Sequence, residues 1–156
     1  VGCTARIVNA TPSGGGRLMI STRGEQRFRI VERLHDEPYP SATVEYPVDE
    51  LSDVPDSLVE RAQEGYRQLR RLRAMAEGGF QREIHPPSNP GTLADRIATA
   101  ANGVVEPLRL QPVLEAFDVH RRLETAVELL TPIVEAAHEQ AQIAVTRRFG
   151  GPERLN

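Results

Sequence analysis

Histidine and cysteine are the side chains with which this sequence would hold a metal ion or attack a substrate, and it has few of them. There is one cysteine, Cys3, and there are four histidines: His35, His85, His120 and His138. No two histidines stand at metal-ligand spacing, and a single cysteine cannot form a thiolate zinc site. The sequence also lacks the Gly-x-Ser-x-Gly, His-Glu-x-x-His and phosphate-loop motifs. We therefore expect no catalytic residue, no metal and no cofactor, and predict that the chain is not an enzyme.

A different chemistry is suggested by Arg27-Phe28-Arg29, where an aromatic ring stands between two cations. Proteins that read single-stranded nucleic acid stack bases on two or three exposed rings within a basic surface. Here residues 1–50 contain six arginines and seven acidic residues, so the surroundings are not basic. This balance disfavours nucleic acid as a partner.

Strand periodicity gives these three residues a structural interpretation. Phe28 has the same parity as Ile30, which favours a core position. The preceding strand supplies its expected neighbours, Leu18 and Ile20. Arg27 and Arg29 are then expected to point outward, near Glu25 and Glu32.

The 156 residues indicate one modest domain, or one domain with an appended subdomain, with an ordinary charged surface and a net charge of −3. All 19 basic residues are arginines. One cysteine allows no internal disulfide, which suits a reducing compartment. No apolar run approaches the roughly 18–20 residues that span a bilayer, and no secretory signal is visible. We therefore predict a cytoplasmic protein that does not enter a membrane.

Residues 1–50 are predicted to be β-rich. CTARIVNA, RLMIST, QRFRIVERL and SATVEYPVDE have strand character, with Cys3, Ala5 and Ile7 sharing one face. TPSGGGR predicts a hairpin loop, and Arg23-Gly24-Glu25 predicts a second turn. The pattern favours a four-stranded antiparallel meander.

Residues 51–156 are predicted to be helical. A first amphipathic helix should be capped by Ser52 or Asp53 and end at Gly78-Gly79, and a second should start at Asn89-Pro90 and stop near Asn102-Gly103. A short helix is expected around residues 112–117. A long one, about 119–148, should begin at Asp118 and kink or divide at Pro132. By pattern, the fold is α+β with the two classes of element segregated.

Both halves resemble the amino-terminal substrate-binding domain of Lon protease, the LON domain. The matching residues of the β-rich part are Gly2, Ala5, Arg6, Ile7, Gly16, Arg17, Ile20, Gly24, Arg27, Phe28, Arg29, Ile30, Tyr39, Ala42 and Val44. Those of the helical part are Pro90, Leu93, Ala94, Asp95, Ile97, Ala98, Gln111, Leu114, Glu115, Asp118, Arg122, Leu123 and Glu124. The matches cover nearly the whole chain and follow the family's order.

The resemblance implies an antiparallel PUA-like β pseudo-barrel followed by a helical bundle. The family domain starts with further strands and a helix that this sequence lacks, so we expect a sheet edge and an apolar face to be open. The Gly-Gly-Pro near the end is more similar to the stand-alone LON-domain proteins of bacteria than to the full protease.

The function implied by the resemblance is non-catalytic binding of unfolded or degron-bearing polypeptides or of partner proteins, with homo-oligomers possible. From the outward parity of the strands we choose Met19, Arg27 and Arg29 as substrate-binding residues. Two alternatives stay open: a PUA-like RNA-binding module, and a LON-fold scaffold protein unconnected to proteolysis.

Overall fold

The computed structural model describes residues 1–35, 37–50 and 52–149. The chain divides between Asp49 and Glu50 into two compact units, which we call the sheet unit and the helical unit. Strands belong to the first and helices to the second, so the fold is α+β as predicted.

The sheet unit is a three-stranded antiparallel sheet in the order β1-β2-β3. The strands are β1 (Gly2–Pro12), β2 (Leu18–Leu34) and β3 (Ser41–Glu45). Gly14, Gly15 and Gly16 all have positive φ in the β1–β2 loop, where Ser13 N donates a hydrogen bond to Arg17 O at 2.9 Å. The predicted glycine hairpin loop is therefore confirmed.

The prediction of four strands and of a turn at Gly24 is wrong, because β2 runs through Gly24 without a break. Gly24 lies opposite Ala5, next to a shift in register between Gly24 and Arg27. Glycine marks a bulge in a strand as readily as a turn, and the sequence signal did not separate the two.

No described residue of the sheet unit is buried. Phe28 was expected in a core beside Leu18 and Ile20, and this is wrong. Its partly buried ring lies over Gly2, where an added Cβ would come to 2.5 Å from Phe28 Cζ. Leu18 and Ile20 pair instead with Pro12 and Ala10, farther along the hairpin.

The helical unit contains five helices with a shared hydrophobic core. They are α1 (Asp56–Ala76), α2 (Pro90–Ala101), α3 (Pro107–Glu115), α4 (Val119–Glu128) and α5 (Leu130–Phe149). The core includes side chains from α1, α2, α4 and α5, with Leu69, Leu93, Ile97 and Leu123 completely enclosed. Helix α3 begins earlier than the short helix predicted at 112–117, because Pro107 starts it in the first turn.

Helix ends agree with sequence signals where the signal is local. Asn89 caps α2 by accepting from Thr92 N at 2.8 Å, and Gly103 has a φ of 80° just beyond α2. Leu129 separates α4 from α5, which places Pro132 in the first turn of α5. The expected cap of α1 by Ser52 or Asp53 is wrong: its N-cap is Pro55, with no side-chain hydrogen bond.

Candidate functional site

The β1–β2 hairpin has an apolar face that is open to solvent. Residues directly opposite each other in an antiparallel pair lie on the same face, and alternate residues continue it. Four successive pairs therefore share one face: Ala5 with Gly24, Ile7 with Thr22, Ala10 with Ile20, and Pro12 with Leu18. We call their apolar members the apolar strip: Ala5, Ile7, Ala10, Pro12, Leu18 and Ile20.

The large side chains of the apolar strip are well exposed. Ile7, Leu18 and Ile20 keep 59%, 64% and 51% of their surface accessible to solvent. The alternation of residues in the sequence identified this face as apolar, and we therefore expected it to be packed. That expectation is wrong, since periodicity does not show whether another element covers a strand. An exposed apolar surface of this kind is typical of a binding surface.

The opposite face of the hairpin is polar and carries positive charge. Thr11 pairs with Met19, Asn9 with Ser21, and Arg6 with Arg23. Arg6 Nε lies 2.6 Å from Glu25 Oε1, and both side chains are exposed. The hairpin is therefore amphipathic, with one apolar and one cationic face.

The structure does not bring Met19, Arg27 and Arg29 together. Met19 is 68% exposed, near the hairpin loop and on the polar face. Arg27 lies eight residues farther along β2, or about 25 Å in an extended strand. Arg27 pairs with Cys3, which shares the parity of Ala5 and Ile7, so its position belongs to the face of the apolar strip.

The two arginines bind carboxylates that the sequence did not suggest. Arg27 binds Asp49, and its side chain is only 16% exposed. Arg29 Nη1 lies 2.7 Å from Glu45 Oε1, across the β2–β3 pair. Asp49 and Glu45 are far from these arginines in sequence; the β2–β3 pairing brings Glu45 to Arg29, and the Arg27–Asp49 contact is visible only in the three-dimensional structure.

In the helical unit, a polar cluster surrounds the start of α4. Asp118 Oδ1 accepts from Arg121 N at 2.7 Å, and Ser52 Oγ accepts from His120 N at 3.0 Å. Glu50 N donates to Phe117 O, and Val119 N donates to Glu50 O. Although serine, histidine and aspartate meet here, the serine and aspartate oxygens accept hydrogen bonds from the helix backbone, so the cluster is a helix cap.

This cap gives the stability of the chain a dependence on pH. The hydrogen bond from Arg121 N, followed by that from Ser52, holds the pKa of Asp118 below its ordinary value of 3.8. A lowered pKa means that the carboxylate stabilises the fold above about pH 4 and loses this contribution as the pH falls through the folded-state pKa.

We expect Asp118→Asn to lower the free energy of unfolding at pH 7 and to flatten its decline below pH 4. The amide oxygen can still accept the capping hydrogen bond. The negative charge is lost, and with it the favourable interaction that lowers the pKa of Asp118. Urea titrations at pH 7, 5, 4 and 3 measure the difference, with the exposed Asp53→Asn as the matched control. Equal slopes for Asp118→Asn and the wild type below pH 4 would contradict the expectation.

Among the described residues, no group of three His, Cys, Asp or Glu side chains is arranged to hold a metal ion. In the same part of the chain, no helix combines the length and hydropathy needed to cross a membrane.

Comparison with known proteins matches both units. The family model of the ATP-dependent protease La (LON) substrate-binding domain matches residues 1–132. The Lon protease of Anaeromyxobacter dehalogenans is 30% identical over 134 residues, which is 83% of this chain and 16% of that protein. Lon protease 2 of Myxococcus xanthus is 29% identical over 83% of the chain and 16% of its own length. The Lon protease of Methylocella silvestris is 27% identical over 98% of the chain and 19% of its own length. The chain thus spans less than a fifth of these relatives.

Proposed function

We propose, from the premise that this chain belongs to the LON substrate-binding domain family, that it recognises unfolded or degron-bearing polypeptides. Recognition would be non-catalytic and would serve an ATP-dependent protease. As part of the same proposal, the sheet belongs to a PUA-like pseudo-barrel that leaves the apolar strip and one edge of β1 accessible. The observation that carries it is the exposed apolar strip of the hairpin.

The apolar strip alone provides too little free energy for binding. Full burial of a leucine or isoleucine side chain contributes about 1.5–3 kcal/mol. Ile7, Leu18 and Ile20 are each roughly half exposed, so covering them contributes about 1 kcal/mol apiece. Association costs about 4–15 kcal/mol in lost freedom, which is more than the three side chains supply.

Backbone pairing is the second contribution that we propose. Among the described residues, β1 pairs only with β2, and we propose that its other edge accepts an additional strand. An extended polypeptide that adds to this edge forms hydrogen bonds worth about 1 kcal/mol each, whatever its sequence. Native proteins seldom present such a free strand, so the mechanism favours unfolded chains.

Met19, Arg27 and Arg29 remain proposed contacts of this surface. Met19 would contact side chains that fall on the polar face, and its flexible thioether suits varied partners. Arg27 and Arg29 would contribute at the other end of β2, next to their bound carboxylates.

The test is fluorescence anisotropy of a labelled polypeptide that has been reduced and alkylated so that it stays unfolded. We expect the wild-type chain to bind it and Ile20→Ser to weaken binding about five- to tenfold. Leu108→Ser is the matched control, because Leu108 is 81% exposed on α3. Met19→Ser tests the polar face separately.

Two results would overturn the proposal. One is a wild-type chain that binds the unfolded polypeptide no better than the same polypeptide in its folded form. The other is an equal loss of affinity in Ile20→Ser and Leu108→Ser, since that would place binding outside the apolar strip.

A further inference from the structure

The polar face of the hairpin contains a pair of like charges that its own acidic residues do not balance. Arg6 and Arg23 are direct cross-strand partners, an arrangement that destabilises an antiparallel pair. Glu25 neutralises Arg6 through the 2.6 Å contact with its Nε. Within residues 1–35, 37–50 and 52–149, no carboxylate forms an ion pair with Arg23. One further carboxylate would therefore relieve the repulsion.

The excess positive charge is a property of the whole hairpin. Residues 2–34 contain six arginines and two glutamates, whereas the complete chain has a net charge of −3. Glu45 and Asp49, which lie outside the hairpin in sequence, bind Arg29 and Arg27. The charge that remains is thus concentrated toward the loop end of the hairpin, on the stretch that also carries the apolar strip.

In any strand that pairs with β1, alternate residues would lie on the apolar face and on the polar face of the hairpin. Successive side chains of an added strand point to opposite faces of the sheet. One parity would lie beside Ile7 and Ala10 of the apolar strip, and the other would lie beside Arg6 on the polar face. The neighbours on the two sides differ, so the hairpin distinguishes the parities.

We propose that the hairpin selects polypeptide segments in which apolar and acidic residues alternate, with Arg6 and Arg23 binding the acidic side chains. This inference rests on the proposed function and specifies its substrate class. The apolar side chains of the bound segment would cover the apolar strip. Its carboxylates, on the alternate residues, would neutralise the Arg6–Arg23 pair. Guanidinium groups suit this role because they bind carboxylates through two parallel hydrogen bonds.

The test compares short labelled peptides binding to the full chain. The first alternates glutamate with isoleucine or valine, the second has glutamine in place of glutamate, and the third has the composition of the first in separate acidic and apolar blocks. An exposed ion pair changes affinity by about two- to fivefold, so we expect the alternating acidic peptide to bind at least that much tighter than the other two.

Substitutions on the polar face provide opposite expectations. Arg23→Gln should remove the preference for the alternating acidic peptide, about two- to fivefold. Glu25→Gln should strengthen it, because Arg6 then becomes available to the ligand. Arg61→Gln, at an exposed position of α1, is the control with no expected effect. A gain of affinity in Glu25→Gln cannot arise from misfolding, and Arg23→Gln should also raise thermal stability slightly by removing the like-charge pair.

Several outcomes would overturn the inference. Equal binding of the alternating and block peptides would show that the hairpin does not distinguish alternating from separated apolar and acidic residues. Tighter binding of an oligoribonucleotide of equal charge would assign the arginines to a nucleic acid. If the unfolded polypeptide binds but glutamate and glutamine peptides bind equally, this inference fails and the proposed function stands. If no polypeptide binds, the proposed function itself fails.

Discussion

Leu93→Ala is expected to lower the free energy of unfolding of the helical unit by about 2–5 kcal/mol, the usual cost of truncating an enclosed leucine. Leu93 has no exposed surface and lies in the core cluster with Ile97 and Leu123. Removing its branched end forfeits transfer free energy and leaves a cavity between helices. Typical domains have only about 5–15 kcal/mol of stability in total, so the loss should be plain.

Urea unfolding followed by far-ultraviolet circular dichroism measures this effect, because the chain has no tryptophan to report by fluorescence. Leu108→Ala is the matched control: the same atoms are removed from a side chain that is 81% exposed on α3. The control should cost no more than about 0.5 kcal/mol. Equal losses in the two variants would contradict the assignment of Leu93 to the core.

The helical unit could be predicted well because its signals are local. An asparagine or aspartate before a helix needs only the next three residues to form its cap, and Asn89 and Asp118 do so. Spacings of three and four placed Leu93, Ile97 and Leu123 correctly on buried faces. The exception is Ser52: its hydroxyl lies at the start of α4 rather than α1, a tertiary contact across 68 residues.

The sheet unit could be predicted only in part. The sequence of a strand indicates which residues share a face, but it does not show whether another element covers that face. Alternation identified Ile7, Leu18 and Ile20 as apolar positions, yet all three are exposed. Gly24 is read as a turn when only its neighbours are considered. Its place inside β2 depends on the pairing with Ala5. The candidate site belongs to this unit. For the same reason, the prediction of outward-pointing residues selected Met19 on the polar face and did not identify the apolar strip on the opposite face.

Two of the residues that match the family have a structural role in the helical unit. Asp95 belongs to the Leu-Ala-Asp segment of α2, and Arg122 belongs to the Arg-Leu-Glu segment of α4. The two segments meet, since Arg122 Nη1 lies 3.6 Å from Asp95 Oδ1. This contact between two family-matching segments therefore joins α2 to α4 in the helical core, whereas the family-matching residues Ile7 and Ile20 belong to the proposed recognition surface.

Arg122→Ala is accordingly expected to be among the most destabilising single substitutions, at about 2–5 kcal/mol. The Arg122 side chain is only 1% exposed, and it lies against Gly91, where an added Cβ would come to 3.4 Å from its Nη2. Asp95, by contrast, is 58% exposed, so water screens the ion pair and reduces its contribution. Most of the loss should come from the vacated volume.

Two further variants separate packing from charge at this position. Arg122→Met keeps an unbranched chain of similar length and should cost less than half as much as Arg122→Ala, because no buried carboxylate is left behind. Asp95→Asn should cost no more than about 1 kcal/mol. Urea unfolding of the three variants gives the answer. If Arg122→Met were as damaging as Arg122→Ala while Asp95→Asn was also severe, the ion pair rather than the packing would stabilise the contact between α2 and α4.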